Sequence, residues 1–407
     1  MVATRTYDSE AFNRLPFRDK LDILYGVSAT HKRDLILSSP DAERLVRSFA
    51  PESLFFTLKE IGLHDSAELL SLASGEQVCA VVDLDCWKKD RLDARSFLDW
   101  LEVILEGGSR TLGEFLNSID LPLLVVFLKQ FIRVHRMDEP EEESPDLEGP
   151  EIFELDEHYR IEFVRRDARG HLVRALLEGL YERDYSYFVT VMEDVWWAVP
   201  SELEEMSFQS RNARLQDRGF PDYYEALEIY RPLRDRELAE RAAPLGRSLN
   251  GWHGADAVPV DRSLAIAEDS RSFLSELMHS AFDPDGQNAL RQEMAFLTNR
   301  VMIAEGVDYS DRESVAQAVR LAHDTVNLAL EHLSGGERRR GAAVLEHHYI
   351  QHLFRLGWSL LIELRRQARG VTESLGIPPA AGSVGFLDTP YREALAGCLR
   401  PKPRFFE

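Results

Sequence analysis

The sequence is poor in cysteine, and its thiols are not arranged for disulfides or metal binding. Only three occur among 407 residues, Cys79, Cys86 and Cys398, and no two of them form a CxxC pair. An odd number of scattered thiols is typical of a protein from a reducing compartment. The N-terminal residues also lack the apolar core of a secretion signal, so we expect a cytoplasmic protein.

Long apolar runs and positive charge are also scarce. No run approaches the roughly 18 apolar residues that are needed to span a bilayer, so we expect no membrane insertion. The chain has 70 acidic residues against 48 Lys and Arg, a net charge of −22. This charge argues against binding to nucleic acid, whose phosphates repel an acidic surface, and it suits a basic partner.

Catalytic and cofactor motifs are missing as well. The sequence contains no GxGxxG, GxxxxGK[ST] or GxSxG. His348 and His352 are weak metal candidates, because two imidazoles four residues apart on one helix can share a metal. A third ligand is not evident, so we predict a structural role for both, no metal site and no cofactor. We lean against an enzyme.

Helical periodicity runs through most of the chain and predicts an all-α fold. Units of roughly 25 residues recur within 1–137, which predicts a domain of stacked α-superhelical repeats. The remaining predicted segments are an acidic linker (138–157), a central helical segment (158–262), a C-terminal antiparallel helical bundle (263–370) and a tail (371–407). Alternation near 151–164 marks one candidate β-hairpin, the only sheet that we expect. We expect the last bundle helix to run from about 337 to 369.

The most informative stretch is 201–230, which predicts two capped helices joined by a charged corner. Ser201 with Glu204, and Asp222 with Glu225, fit capping boxes. Gly219 fits the left-handed position that ends a helix, and the proline that follows two residues later prevents continuation.

The charged and aromatic side chains of this corner are our candidate binding residues: Glu204, Glu205, Arg211, Arg214, Asp217, Arg218, Asp222 and Tyr224. Arg211 shares a helix face with Phe208 and Leu215, and a guanidinium beside apolar groups needs a paired carboxylate. We therefore expect Arg211 and Arg214 to be largely buried and paired with acids such as Glu204, Glu205 or Asp217. A ligand or anion site on these arginines is the alternative.

Several motifs resemble those of an uncharacterised bacterial family of unknown function. They are Leu58-Lys-Glu-Ile-Gly62, Asp83-Leu-Asp85-x-Trp87, Glu204-Glu205, Arg211-x-x-Arg214-Leu-x-Asp217-x-Gly219-Phe220-Pro221 and Glu225-Ala-Leu-Glu-Ile-Tyr230. The resemblance covers most of the chain and implies no activity, because the family has none established. Residues from about 30 to 137 are also similar, more loosely, to the helical regulatory domain of MgtE-type magnesium transporters and to the middle region of FliG. That similarity implies a helical layer used for contacts.

The function that we expect is that of a cytosolic scaffold or adaptor that binds another protein, because helical-repeat layers offer extended surfaces. A homo-oligomer is compatible with this expectation. The alternative is a small-anion-binding protein, or an enzyme of unknown type, that uses the Arg, Glu and Asp side chains at 204–218.

Overall fold

A computed structural model describes residues 7–137, 152–164, 169–216, 219–242, 272–309 and 311–404. The chain divides into two compact units, Met1–Leu215 and Gln216–Glu407. Most of the predicted acidic linker, together with residues 243–262 of the central segment, lies outside the described residues. The five-segment division of the sequence stays a prediction.

The first unit consists mainly of short helices that stack in sequence order. They are α1 (Ser9–Asn13), α2 (Phe17–Gly26), α3 (Ala29–Leu37), α4 (Ala42–Arg47), α5 (Pro51–Ile61), α6 (Ala67–Leu70), α7 (Gly75–Asp85), α8 (Ala94–Glu106), α9 (Gly108–Ser118), α10 (Leu121–Lys129), α11 (Gly170–Arg183), α12 (Tyr185–Trp197) and α13 (Pro200–Gln216). α3 packs on α5, α5 on α7 and α7 on α9, while α6 packs on α8. This layered packing confirms the helical stack that the repeats predict.

Aromatic side chains fill the core of the first unit. Trp100 is fully buried against Phe55, and the rings of Phe97 and Phe127 stack with centroids 4.0 Å apart. The indole Nε1 of Trp100 donates to Asp85 Oδ2 at 2.7 Å, so this buried ring satisfies its polar atom. These contacts hold α5, α7, α8 and α10 around one core.

The first unit contains a second small sheet that the sequence does not predict. β1 (Trp87–Lys88) pairs with β2 (Arg91–Leu92) in an antiparallel hairpin whose turn places Lys89 at φ 61°. Strands of two residues are too short for alternation to show in the sequence. Asp93 follows the hairpin and caps α8 by accepting a hydrogen bond from the backbone N–H of Arg95.

The predicted hairpin near 151–164 is confirmed and has a third strand. β4 (Ile152–Glu154) and β3 (Ile132–Arg136) both pair antiparallel with β5 (Tyr159–Phe163), which therefore lies in the middle. β5 alternates buried and half-buried side chains, and its Tyr159, Ile161 and Phe163 point to the core. The fold is otherwise helical, which confirms the predicted class.

The second unit is a helical bundle formed by α14 (Tyr223–Leu227), α15 (Asp235–Glu240), α16 (Phe273–Ser280), α17 (Pro284–Glu305), α18 (Arg312–Ser334), α19 (Arg338–His347), α20 (Ile350–Ser374) and α21 (Tyr391–Leu399). α18 packs against both α17 and α20. A Cβ on Gly357 would lie 2.0 Å from the carbonyl oxygen of Thr325, so this glycine allows α20 and α18 to approach closely.

One prediction about the bundle is wrong: the helix expected from about 337 to 369 is broken. His348 is extended, with φ −129° and ψ 134°, so α19 ends at His347 and α20 begins at Ile350. Glu293 Oε2 accepts the backbone N–H of Ile350 at 3.0 Å, which satisfies a donor that the break leaves without a helical partner. A side chain from α17 thus stabilises the start of α20 after the break.

Taken singly, no helix in the described ranges is long and apolar enough to cross a membrane. The pair α9 and α10, bent by 110° where they join, reaches that length and composition only together.

Candidate functional site

Arg214 on α13 makes the densest set of ionic contacts in the predicted corner. Its Nε and Nη2 donate to the two carboxylate oxygens of Asp83, at 2.8 and 2.9 Å, and its Nη1 donates to Asp120. Asp83 lies on α7 and Asp120 precedes α10. A two-pronged arginine–carboxylate contact fixes both distance and orientation, so Arg214 ties α13 to α7 and to the start of α10 in the first unit.

The electrostatics of this cluster are set by burial. The side chain of Asp83 is only 3% exposed, and that burial raises its pKa, while the neighbouring Arg214 and Arg211 act in the opposite direction. Burial likewise raises the pKa of the nearby Cys79 thiol and, to a smaller extent, of the Tyr187 hydroxyl. A thiol with a raised pKa is a poor nucleophile, so Cys79 is suited to packing and not to catalysis.

Arg211 lies beside Arg214 and contacts the end of α7. Its Nε donates to the backbone carbonyl of Asp83 at 2.6 Å, and its guanidinium lies 5.6 Å from the centre of the Trp87 ring. Phe208 packs on the same indole, with ring centroids 5.8 Å apart. One turn earlier on α13, Glu204 accepts the backbone N–H of Leu92 at 3.1 Å and so holds β2. The sequence motifs around 83–92 and 204–214 are therefore in direct contact in the folded chain.

The predicted pairing of Arg214 with Glu204 or Glu205 is wrong. Glu204 binds the hairpin and Glu205 binds Gln209 on its own helix. Pairing within the corner assumed that sequence neighbours meet, but Arg214 reaches Asp83 on α7 and Asp120 just before α10. Arg211 and Arg214 are half-buried and not largely buried. Asp217 and Arg218 lie outside the described residues.

The second half of the corner belongs to the second unit. Asp222 caps its helix as predicted, whereas Glu225, the other member of the predicted capping box, binds Arg300. Asp222 accepts the backbone N–H groups of Tyr224 and Glu225 at 2.8 and 3.0 Å and so begins α14. Gly219 has φ +79°, the left-handed conformation expected of a residue that ends a helix. The ring of Tyr224 is exposed.

A pocket of about 380 Å³ opens beside this segment. Its lining consists of Gln216, Gly219, Pro221, Glu225, Glu293, Phe296, Leu297, Arg300, Tyr349 and Gln351. Arg300 on α17 donates through Nη2 to Glu225 Oε1 at 2.6 Å. Sequence reasoning missed Glu293 and Arg300, although their spacing with Phe296 and Leu297 (i, i+3, i+4, i+7) places charged residues at both ends of an apolar helix stripe.

The sequence matches one protein family over nearly its whole length. The model of a family of unknown function, DUF6178, matches residues 9–407. The chain belongs to this family. The resemblance predicted from the corner and from the 83–87 motif is therefore confirmed at the level of family, while the similarity to MgtE and FliG is not confirmed. Neither a curated protein nor a solved structure matched this chain.

The two metal-candidate histidines of this DUF6178 chain do not share a helix. His348 lies in the break after α19, whereas His352 lies in the first turn of α20. The spacing argument for a shared metal is therefore wrong. Burial is the main cause that lowers the pKa of both imidazoles, and Arg241 and Arg355 lower that of His352 further. In the part of the chain that the structure describes, no three His, Cys, Asp or Glu side chains could together hold a metal ion.

An exposed apolar surface lies where α12 meets α13. We call Trp196, Trp197 and Val199 the tryptophan surface; their residues are 40%, 65% and 49% exposed. Arg136 covers part of the first ring, with its guanidinium 5.3 Å from the ring centre. Adjacent tryptophans on a helix point in different directions, which predicts one ring in the core; that prediction is wrong, because both rings are exposed.

Proposed function

We propose that this protein is an adaptor that binds a basic partner protein through the tryptophan surface. The observation that carries the proposal is the exposure of two adjacent tryptophans and a valine on one helix junction. Tryptophan is enriched among the residues that dominate binding energy at protein interfaces. Each ring gains several tenths to a few kcal/mol when a partner covers it, on the order of 25 cal/mol per Å² of apolar surface.

Charge supports a basic partner. The stretch from 184 to 210 contains six acidic residues (Asp184, Glu193, Asp194, Glu202, Glu204 and Glu205) and no Lys, Arg or His. This excess of acidic residues along the chain on both sides of the tryptophans favours association with a positively charged surface. Two basic side chains also reach the junction: Arg136 lies over the Trp196 ring, and Lys129 donates to the backbone carbonyl of Val195.

The contacts of the corner weigh against the alternative function. All three nitrogens of the Arg214 guanidinium donate to carboxylates of Asp83 and Asp120, and Arg211 donates to a backbone carbonyl. An anion would have to displace these partners before it could bind there. Arg211 and Arg214 are therefore better suited to stabilising the first unit than to binding a small anion.

A photo-crosslinking experiment in native cells tests the adaptor proposal. Benzoylphenylalanine replaces Trp197 in one variant and Phe386, an equally exposed ring of the second unit at 65%, in a matched control. We expect position 197, but not 386, to crosslink one basic protein reproducibly. The W196A/W197A variant should lose that protein on co-purification while its melting temperature stays unchanged. Crosslinking only to a second copy of the chain, or to nothing, would contradict the proposal.

A further inference from the structure

We propose that the pocket of the second unit binds a small zwitterion, a molecule whose ammonium and carboxylate groups are separated by an apolar spacer. This inference concerns a different unit from the tryptophan surface and does not depend on the adaptor function. It rests on the arrangement of charge along one wall of the pocket.

That wall is one face of α17. Glu293, Phe296, Leu297 and Arg300 recur at i, i+3, i+4 and i+7 and all line the pocket. Seven residues of α-helix rise by about 10 Å, so the carboxylate and the guanidinium lie two turns apart with two apolar side chains between them. The wall therefore has a negative end, an apolar middle and a positive end.

The positive end is held in place and keeps donors to spare. Arg300 is 27% exposed, and its Nη2 donates to Glu225 Oε1 at 2.6 Å. Among the described residues this is its only hydrogen bond, whereas a guanidinium has five N–H donors. Glu225 thus orients the group, and the remaining N–H donors can receive a ligand carboxylate.

The negative end is also fixed, because Glu293 Oε2 accepts the N–H of Ile350. A carboxylate held in this way is ordered before a ligand arrives, which lowers the entropic cost of binding an ammonium group. Tyr349 and Phe296 bring aromatic rings to the same pocket, and ring faces attract organic cations.

The summed charge and the size of the lining limit the ligand class. Two glutamates and one arginine give the described lining a net charge of −1, which disfavours an inorganic anion such as phosphate. The guanidinium of Arg300 disfavours a simple amine, because the alkyl tail would shield its N–H donors from water without accepting a hydrogen bond from them. A cavity of about 380 Å³ suits a molecule of the size of an ω-amino acid or a dipeptide.

Binding of three probes to the full chain, measured by titration calorimetry, tests the proposal. The probes are 6-aminohexanoate, hexanoate and hexylamine, which share one spacer and differ only in their charged ends. We expect 6-aminohexanoate to bind most tightly, and each missing end to weaken binding about tenfold or more, as for the loss of a charge-assisted hydrogen bond.

Variants assign the two ends. Arg300→Gln should weaken 6-aminohexanoate about tenfold and leave hexylamine unchanged. Glu293→Gln should weaken 6-aminohexanoate to a similar extent and leave hexanoate unchanged. The amide oxygen of the new glutamine can still accept the Ile350 N–H. Arg366→Gln, an exposed arginine of the same unit, is the matched control. Equal affinity for all three probes, no binding of any, or indifference to Arg300→Gln in a variant that melts like wild type would each overturn the proposal. If Arg300→Gln does not fold, Arg300→Lys takes its place.

Discussion

Removing Arg214 should destabilise the first unit more than removing either acid that it binds. Arg214→Ala leaves Asp83 buried, with a side chain only 3% exposed, and without its two-pronged partner. Losing one partner of a buried pair costs about 3–5 kcal/mol. Protonation limits the cost, since neutralising an ordinary aspartate with a pKa of about 3.9 requires about 4 kcal/mol at pH 7. We therefore expect a loss of about 3 kcal/mol in the free energy of unfolding, because the arginine is itself 37% exposed.

Removing the acid instead of the arginine should lower the free energy of unfolding less. Asp83→Ala leaves an arginine that reaches solvent and still contacts Asp120, so we expect a loss of about 1–2 kcal/mol. The double variant, in which neither charge remains, should be more stable than Arg214→Ala alone. That order is the signature of a buried charge without a partner.

The loss of stability in Arg214→Ala should also depend on pH. Burial raises the pKa of Asp83, and it rises further once Arg214 is gone. The folded state of Arg214→Ala then binds a proton more readily than the unfolded state, so its stability is greater at low pH and falls as the pH rises towards the folded pKa. The difference between Arg214→Ala and wild type should shrink between pH 7 and pH 5, by up to about 1.4 kcal/mol per pH unit.

Hydrogen exchange read by mass spectrometry on peptides from α7 reports the opening free energy of the first unit separately from the second. Arg214→Lys is the matched control, because it keeps the charge and loses the planar fork. An Arg214→Ala chain that exchanges like wild type, or a double variant that is less stable than Arg214→Ala, would refute the reasoning.

Three further predictions concern single residues within the two units. Gly219→Ala should lower the melting temperature of the second unit by several degrees, because the new Cβ would lie 1.8 Å from ring carbons of Phe296 and φ is +79° there; an unchanged calorimetric transition would contradict this. His348 and His352 have lowered pKa values, so the folded state takes up their protons less readily, and stability present above pH 6.5 should be lost on acidification. The H348Q/H352Q variant should lose less stability than wild type between pH 7 and pH 5.5, and equal losses in denaturant titrations would argue against it. All three thiols have pKa values raised by burial and should react with Ellman's reagent only after unfolding, so fast labelling of the native chain would contradict the packing.

Local sequence rules predict much of this fold because the elements involved are governed by neighbours in sequence. Asp222 caps α14, and Gly219 adopts the left-handed conformation that ends a helix. The hairpin at 152–163 follows from alternation. In each case the deciding interaction spans only a few residues, so one sequence carries the signal. The capping box expected at Ser201 and Glu204 is wrong, because α13 already begins at Pro200 and Glu204 binds Leu92.

Long-range pairing is where the sequence was insufficient. Arg214 lies 131 residues from Asp83 and 94 from Asp120, and no periodicity connects them. After the break at His348, the backbone N–H of Ile350 similarly finds its partner, Glu293, on another helix. Because burying an unpaired guanidinium is costly, the sequence could predict that Arg214 needs a carboxylate partner. Which carboxylate it binds depends on which parts of the chain meet in the fold.

The different roles of the charged corner and the tryptophan surface are tested most directly by measuring stability and partner affinity on the same variants. The partner is the protein crosslinked at position 197, and the variants are Arg214→Gln and W196A/W197A. We expect Arg214→Gln to lower the free energy of unfolding while the Kd of its folded fraction stays that of wild type. The double tryptophan variant should raise the Kd at unchanged stability. The opposite pattern, in which Arg214→Gln loses the partner without losing stability, would contradict both assignments.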